Sequence, residues 1–110
     1  MKYIKLVLFL ILLSSLFLFA TPVTGNKTVT VAGTPETLVA ASAPVLWIDI
    51  QADCDNTDQT YVGFDATPLT GGLELDGCDS IRWHNVDAVD IYVDVEISGE
   101  GVHYWYEPAG

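Results

Sequence analysis

Asp53, Asp55 and Asp58 crowd into six residues with Cys54 and Asn56 between them, in the stretch ADCDNTDQTYVGFD that runs from Ala52 to Asp65. Closely spaced carboxylates are the raw material of a calcium site, because calcium takes hard oxygen ligands in flexible geometry. An EF-hand loop starting at Asp53 would need a glycine at its sixth position and a bidentate glutamate at its twelfth. The chain has Asp58 and Phe64 there, so that motif fails. A looser site built from Asp53, Asp55 and Asp58, with Asp65 within reach in sequence, remains chemically open. The plainer reading is an Asx-type turn whose side chains bond nearby backbone N–H groups.

Cys54 and Cys78 are the only cysteines. In an exported chain an even pair reads as a disulfide, and closing a loop of about 25 residues would stabilise by roughly 3 kcal/mol. Two buried thiols are the competing reading. A zinc pair would need a second doublet, which is missing. His84 and His103, the only histidines, each sit beside aromatics in strand-like sequence, where packing or a rim hydrogen bond is the ordinary role. The chain has no nucleophile elbow, no phosphate-cradling glycine loop and no His-Glu-x-x-His pattern. It reads as a non-enzyme without a resident cofactor, calcium being the one open candidate.

The elements that would carry these residues begin behind a leader. Residues 1–25 start with Lys2 and Lys5, contain no acid, and are apolar from Leu6 to Ala20 except for Ser14 and Ser15. This is the pattern of a secretory signal peptide, with cuts conceivable after Ala20 or Gly25; if retained, residues 4–20 would be a hydrophobic helix anchoring the chain in a membrane. Residues 26–110 are enough for one small domain. Export to an extracellular, cell-surface or virion-surface location is the expectation. Asn26-Lys27-Thr28 fits a glycosylation sequon.

All 15 acidic residues lie at or after Glu36, and beyond the leader only Lys27 and Arg82 are basic. Nucleic-acid affinity depends on cations facing phosphates, so nucleic acid is excluded as a partner, and an anionic membrane surface is disfavoured. Charge of this kind keeps copies soluble and apart, and suits a salty medium in which it is screened.

After the leader the apolar residues recur with period two. The runs 27–32, 36–41, 44–52, 60–65, 72–75, 80–85, 89–98 and 102–107 read as short strands, with Pro, Gly and Asn/Asp at the breaks. In 44–52 the expected inward set is Leu46, Ile48, Ile50 and Ala52. In 89–98 it is Val89, Ile91, Val93, Val95 and Ile97, and Gly99-Glu100-Gly101 is expected to close a hairpin with 102–107. The fold class is all-β, an antiparallel β-sandwich or jelly-roll-like barrel of seven to eight strands. Trp47, Tyr92 and Trp105 alternate away from the aliphatic stripe, where exposed rings could stack on sugars or fill an interface. A sandwich with both faces partly covered would use them for packing instead.

The stretches TVTVAGTPETLVA, WIDIQADCDNTDQTYVGFD, GGLELDGCDSIRW and VDIYVDVEISGEGVHYWYE resemble a small β-sandwich module of tailed-phage structural proteins. In that module a strand with Ile-x-Ala-x-x-x-Asn turns into a short Val-Tyr-Val-Gly strand, matched by Ala52, Asn56 and TYVGFD. A Gly-x-x-Leu-x-x-Gly-x-Ser-Ile segment follows, matched in its leucine and glycine pattern by Gly72, Leu75, Gly77, Ser80 and Ile81, then an Ile-Tyr-Val strand, matched by Ile91, Tyr92 and Val93. The likeness spans about Thr28 to Glu107; the leader is no part of it. It implies that Asn56 is a turn residue rather than a ligand, and that the protein acts by subunit contacts, with itself or with other virion or surface proteins. The alternative is a secreted carbohydrate- or receptor-binding module, assisted by calcium if the aspartates converge.

Overall fold

The computed structural model describes residues 21–66 and 72–110. The expected leader helix therefore lies outside the described residues, apart from the segment that follows Ala20. Eight antiparallel strands form two four-stranded sheets: β1 (Val23–Thr28), β2 (Glu36–Thr37), β3 (Pro44–Ala52), β4 (Thr60–Gly63), β5 (Leu73–Leu75), β6 (Ser80–Asp87), β7 (Tyr92–Val95) and β8 (Gly101–Pro108). The first sheet has the order β1-β8-β3-β6 and the second β2-β7-β4-β5. The expected all-β sandwich is what the chain forms.

The core lies between the two sheets. Val45, Ile48, Ile50, Ala52 and Val102 face it from the first sheet, and Leu38, Val62, Leu75, Ile91, Val93 and Val95 from the side of the second. Each fully buried Val or Ile contributes about 1.5–3 kcal/mol, and β-branched residues suit a pleated surface on which χ1 is already restricted. Ile81, Trp83, Tyr104 and Tyr106 pack around this centre, half-buried.

Five expectations need correction. Leu46 is exposed while Val45 is buried, because the β3–β8 register shifts between Val45 and Trp47. One extra residue in the ladder turns the alternation over at that point. The run 27–32 is not the first strand: β1 ends at Thr28, and Val31, expected to share a face with Val29, is exposed in the following loop while Val29 is buried. The run 89–98 is also shorter than its alternation suggested. Ala88–Asp90 form a single 3-10 turn, capped by the Asp87 carboxylate accepting from Val89 N–H, and Ile97 lies exposed beyond the end of β7. Asp94, expected on the wet side, is buried: its carboxylate accepts from the N–H groups of Gly33 and Val95, so the loop after β1 covers it.

The expected 89–98/102–107 hairpin is absent. β7 belongs to the second sheet and β8 to the first. The turn closed by Glu100 N–H to Ile97 O, with Gly99 in the left-handed region, carries the chain across the sandwich instead of back along one sheet.

Candidate binding face

Four strands of the first sheet present their outward residues in transverse rows. Register places Thr24, Trp105, Asp49 and Arg82 in one row and Asn26, His103, Gln51 and Ser80 in the next. Glu107, Trp47 and His84 form a third. The alternation that sends Ile48, Ile50, Val102 and Tyr104 inward sends these outward.

The outward residues hold one another. Arg82 Nε and Nη2 donate to the two Asp49 carboxylate oxygens at 2.6 and 2.7 Å. The same guanidinium lies over the Trp47 ring, 4.5 Å from its centroid, a cation–π contact. Trp47 Nε1 donates to Glu107 Oε2 at 2.9 Å. The Arg82 hydrogen bonds hold the Asp49 carboxyl below its ordinary range against the opposing effect of burial, and a hydrogen bond from Trp105 adds to them. Trp47 and Trp105, both half-buried, are thus brought to one face. Tyr92 is not with them: it lies on β7, opposite Thr37 and Gly63, on the second sheet. Asn26 is exposed on the edge strand β1, across from His103. Beside Trp105 the surface dips into an open cavity of ≈ 380 Å³ lined by Thr24, Gly25, Asn26, His103, Tyr104 and Trp105.

The aspartate cluster sits at the end of the sandwich where β3 stops. Asn56 N–H bonds Asp53 O at 3.0 Å, closing a turn. Cys54 and Cys78 form a disulfide, which continues the β3–β6 pairing beyond Ala52 through Ala52 N–H to Asp79 O and Cys78 N–H to Ala52 O. Cys78 adopts a left-handed φ of 73°, and Gly77 next to it packs against the carbonyls of Asp53, Cys54 and Asn56, with space for no side chain larger than a hydrogen without some give. Asn56 is clamped: Nδ2 donates to Thr60 Oγ1 at 2.9 Å and to Gly101 O at 2.8 Å. It is a turn residue whose amide ties three segments.

The three aspartates do not converge on an ion site. Asp53 turns toward His103, with Oδ1 3.1 Å from Nε2; this is ion-pair distance without hydrogen-bond geometry, so Oδ1 stays buried and without a hydrogen bond. Burial raises the Asp53 carboxyl above its ordinary range, with His103 opposing and Asp55 and Glu100 reinforcing the shift. Asp58 accepts from the neighbouring Gln59 N–H at 2.8 Å, and Asp55 is exposed. Among the described residues no three His, Cys, Asp or Glu side chains are grouped to hold a metal. The turn that bonds Asn56 back to Asp53 leaves Asp55 and Asp58 exposed while Asp53 faces His103, so the three carboxylates point apart.

Sequence reasoning picked out Trp47 and Trp105 but not Asp49, Arg82, Glu107 and His103 as their companions. Asp49 follows Trp47 by two residues on β3, and His103 and Glu107 flank Trp105 by two on β8, so alternation already sets each beside its tryptophan; Arg82 on β6, and the meeting of the two tryptophans, come from strand pairing alone. No protein family, curated protein or solved structure matches the chain.

Proposed function

We propose that this β-sandwich acts by surface contact rather than catalysis, as a non-enzymatic structural protein of a virion or cell surface, and that the outer face of the first sheet is its contact surface. The observation that carries this is the placement of Trp47 and Trp105 on one solvent-facing sheet, held by Glu107, Arg82 and Asp49. Half-buried tryptophans with preset hydrogen bonds are the side chains that dominate protein contacts. The signal-like leader, the disulfide and the resemblance to tailed-phage modules support an exported or particle-borne setting, with partners among virion or surface proteins or further copies of the chain. Fractionating tagged chain tests it. Sedimentation with particles or cell envelope is expected, with loss of that association in Trp47→Ala and Trp105→Ala; recovery of the chain free in the medium overturns it. The cavity beside Trp105 favours a second reading, a secreted carbohydrate- or receptor-binding module using the same face.

A further inference from the structure

Resting on the assignment of the outer face as the contact surface, we infer that its occupant around Trp105 is a neutral saccharide. The surface there is a shallow, open depression of ≈ 380 Å³, a shape that suits a ligand lying on the sheet rather than one enclosed by it. Its lining combines two aromatic residues, Trp105 and Tyr104, with Asn26, Thr24 and His103, which carry an amide, a hydroxyl and an imidazole. A sugar ring offers the matching chemistry: an apolar C–H face for the indole and hydroxyls that both donate and accept.

Charge narrows the class. Arg82 is bound to Asp49 and Lys27 to Glu36, and these are the only Lys or Arg side chains after the leader. Among the described residues no unpaired Lys or Arg is left to receive a uronate, sulfate or phosphate, and the surplus carboxylates repel such groups. A cationic partner would find its charges at the loop end, among Asp55, Asp58, Asp76 and Asp79, not here. Within the face itself Asp49 is neutralised by its bidentate pair with Arg82, while Glu107 keeps its charge and accepts from the Trp47 N–H. The cavity is the part of an acidic surface in which an uncharged polar ligand meets neither attraction nor penalty from net charge, and stacking decides.

The test is titration of the exported protein with cellohexaose, xylohexaose, mannohexaose and chitohexaose, followed by calorimetry and tryptophan fluorescence, with polygalacturonate as the anionic comparison. Binding and a fluorescence change are expected with at least one neutral oligosaccharide and none with polygalacturonate. Raising the salt to about 1 M should leave the affinity within about twofold, since no counterions are released. Trp105→Ala should weaken binding about tenfold or more, Trp105→Phe should retain part of it, and Tyr92→Ala on the other sheet should leave it unchanged. Absence of binding by all four oligosaccharides at millimolar concentration overturns the inference, as does full binding by Trp105→Ala. Particle or envelope association measured on the same variants separates the two ideas. If Trp105→Ala abolishes association while no saccharide binds, the face contacts protein and only the saccharide assignment falls. If association is also unaffected, the contact surface itself has been misplaced.

Discussion

Asn56 and Gly101 face each other 45 residues apart in sequence and bond through both ends of one amide. Asn56 Nδ2 donates to Gly101 O at 2.8 Å, and Gly101 N–H reaches Asn56 Oδ1 at 3.5 Å. The side chain substitutes for a strand partner where β8 begins, and its second N–H satisfies the buried Thr60 hydroxyl. Asn56→Ala should cost about 2 kcal/mol in denaturant unfolding, the range for leaving buried polar groups unpaired. Asn56→Asp should not restore the loss, because a carboxylate cannot donate to Gly101 O. Wild-type stability in Asn56→Ala would show that the clamp carries no weight.

The disulfide closes a loop of sequence separation 24. Replacing Cys54 and Cys78 together by serine should lower stability by about 3 kcal/mol through the freed unfolded chain. Reduction of the wild type should give the same loss, and a mismatch between the two would locate the effect in the serines rather than in the bridge.

Two glycines should differ in a predictable way. A Cβ on Gly101 would fall 1.9 Å from Lys27 O, so β1 itself must move; a Cβ on Gly25 would meet the Tyr104 hydroxyl at 2.4 Å, the tip of a side chain that can turn away. Gly101→Ala should therefore cost about 2–4 kcal/mol and Gly25→Ala about 1 kcal/mol. Thermal melts of the two variants side by side decide whether backbone crowding governs.

Acid should act in two opposing directions. The Asp49 and Glu36 carboxyls are lowered, Asp49 by Arg82 and Glu36 chiefly by the Thr30 N–H and Lys27. Their contribution is present above the unfolded pKa values and is lost as pH falls through the folded ones. Asp53 is raised by burial, so its contribution favours the fold below its ordinary value of 3.8 and disappears as pH rises through the folded value above it. Asp53→Asn should then stabilise the domain at neutral pH and give no gain below that ordinary value. A melting-temperature gain that persists unchanged into acid would contradict the sign.

Screening should stabilise. With Lys27 and Arg82 each already paired, the remaining charge is nearly all negative, and its mutual repulsion weakens as the Debye length shortens. The melting temperature should climb between about 0.05 and 1 M NaCl; a fall would mean that the two ion pairs outweigh the repulsion.

Much of the sandwich was legible because period two in 44–52 and 89–98 can only bury one side. What alternation does not encode is which sheet a strand joins, or where a bulge resets the phase. Leu46 and Val45 look equally apolar until the register shift decides between them. Asp94 is polar in sequence and buried in space because a loop contributes the Gly33 N–H. Cys54 and Cys78 declared each other by being the only two. Asp49 and Arg82, 33 residues apart, had nothing in sequence to link them, and their pairing comes entirely from the β3–β6 register.

The place of β8 in the first sheet has a consequence for how the chain is made. Six of the seven links between successive strands pass from one sheet to the other, β4 to β5 being the exception. β8, last in order, fills an interior position between β1 and β3. Residues 23–28 thus have no partner until residues 101–108 arrive, and pairings this remote in sequence form slowly. A ribosome stalled before Gly101 would leave the second sheet and the β3–β6 pair with all their residues, but β1 stranded without the one neighbour that joins it to the rest.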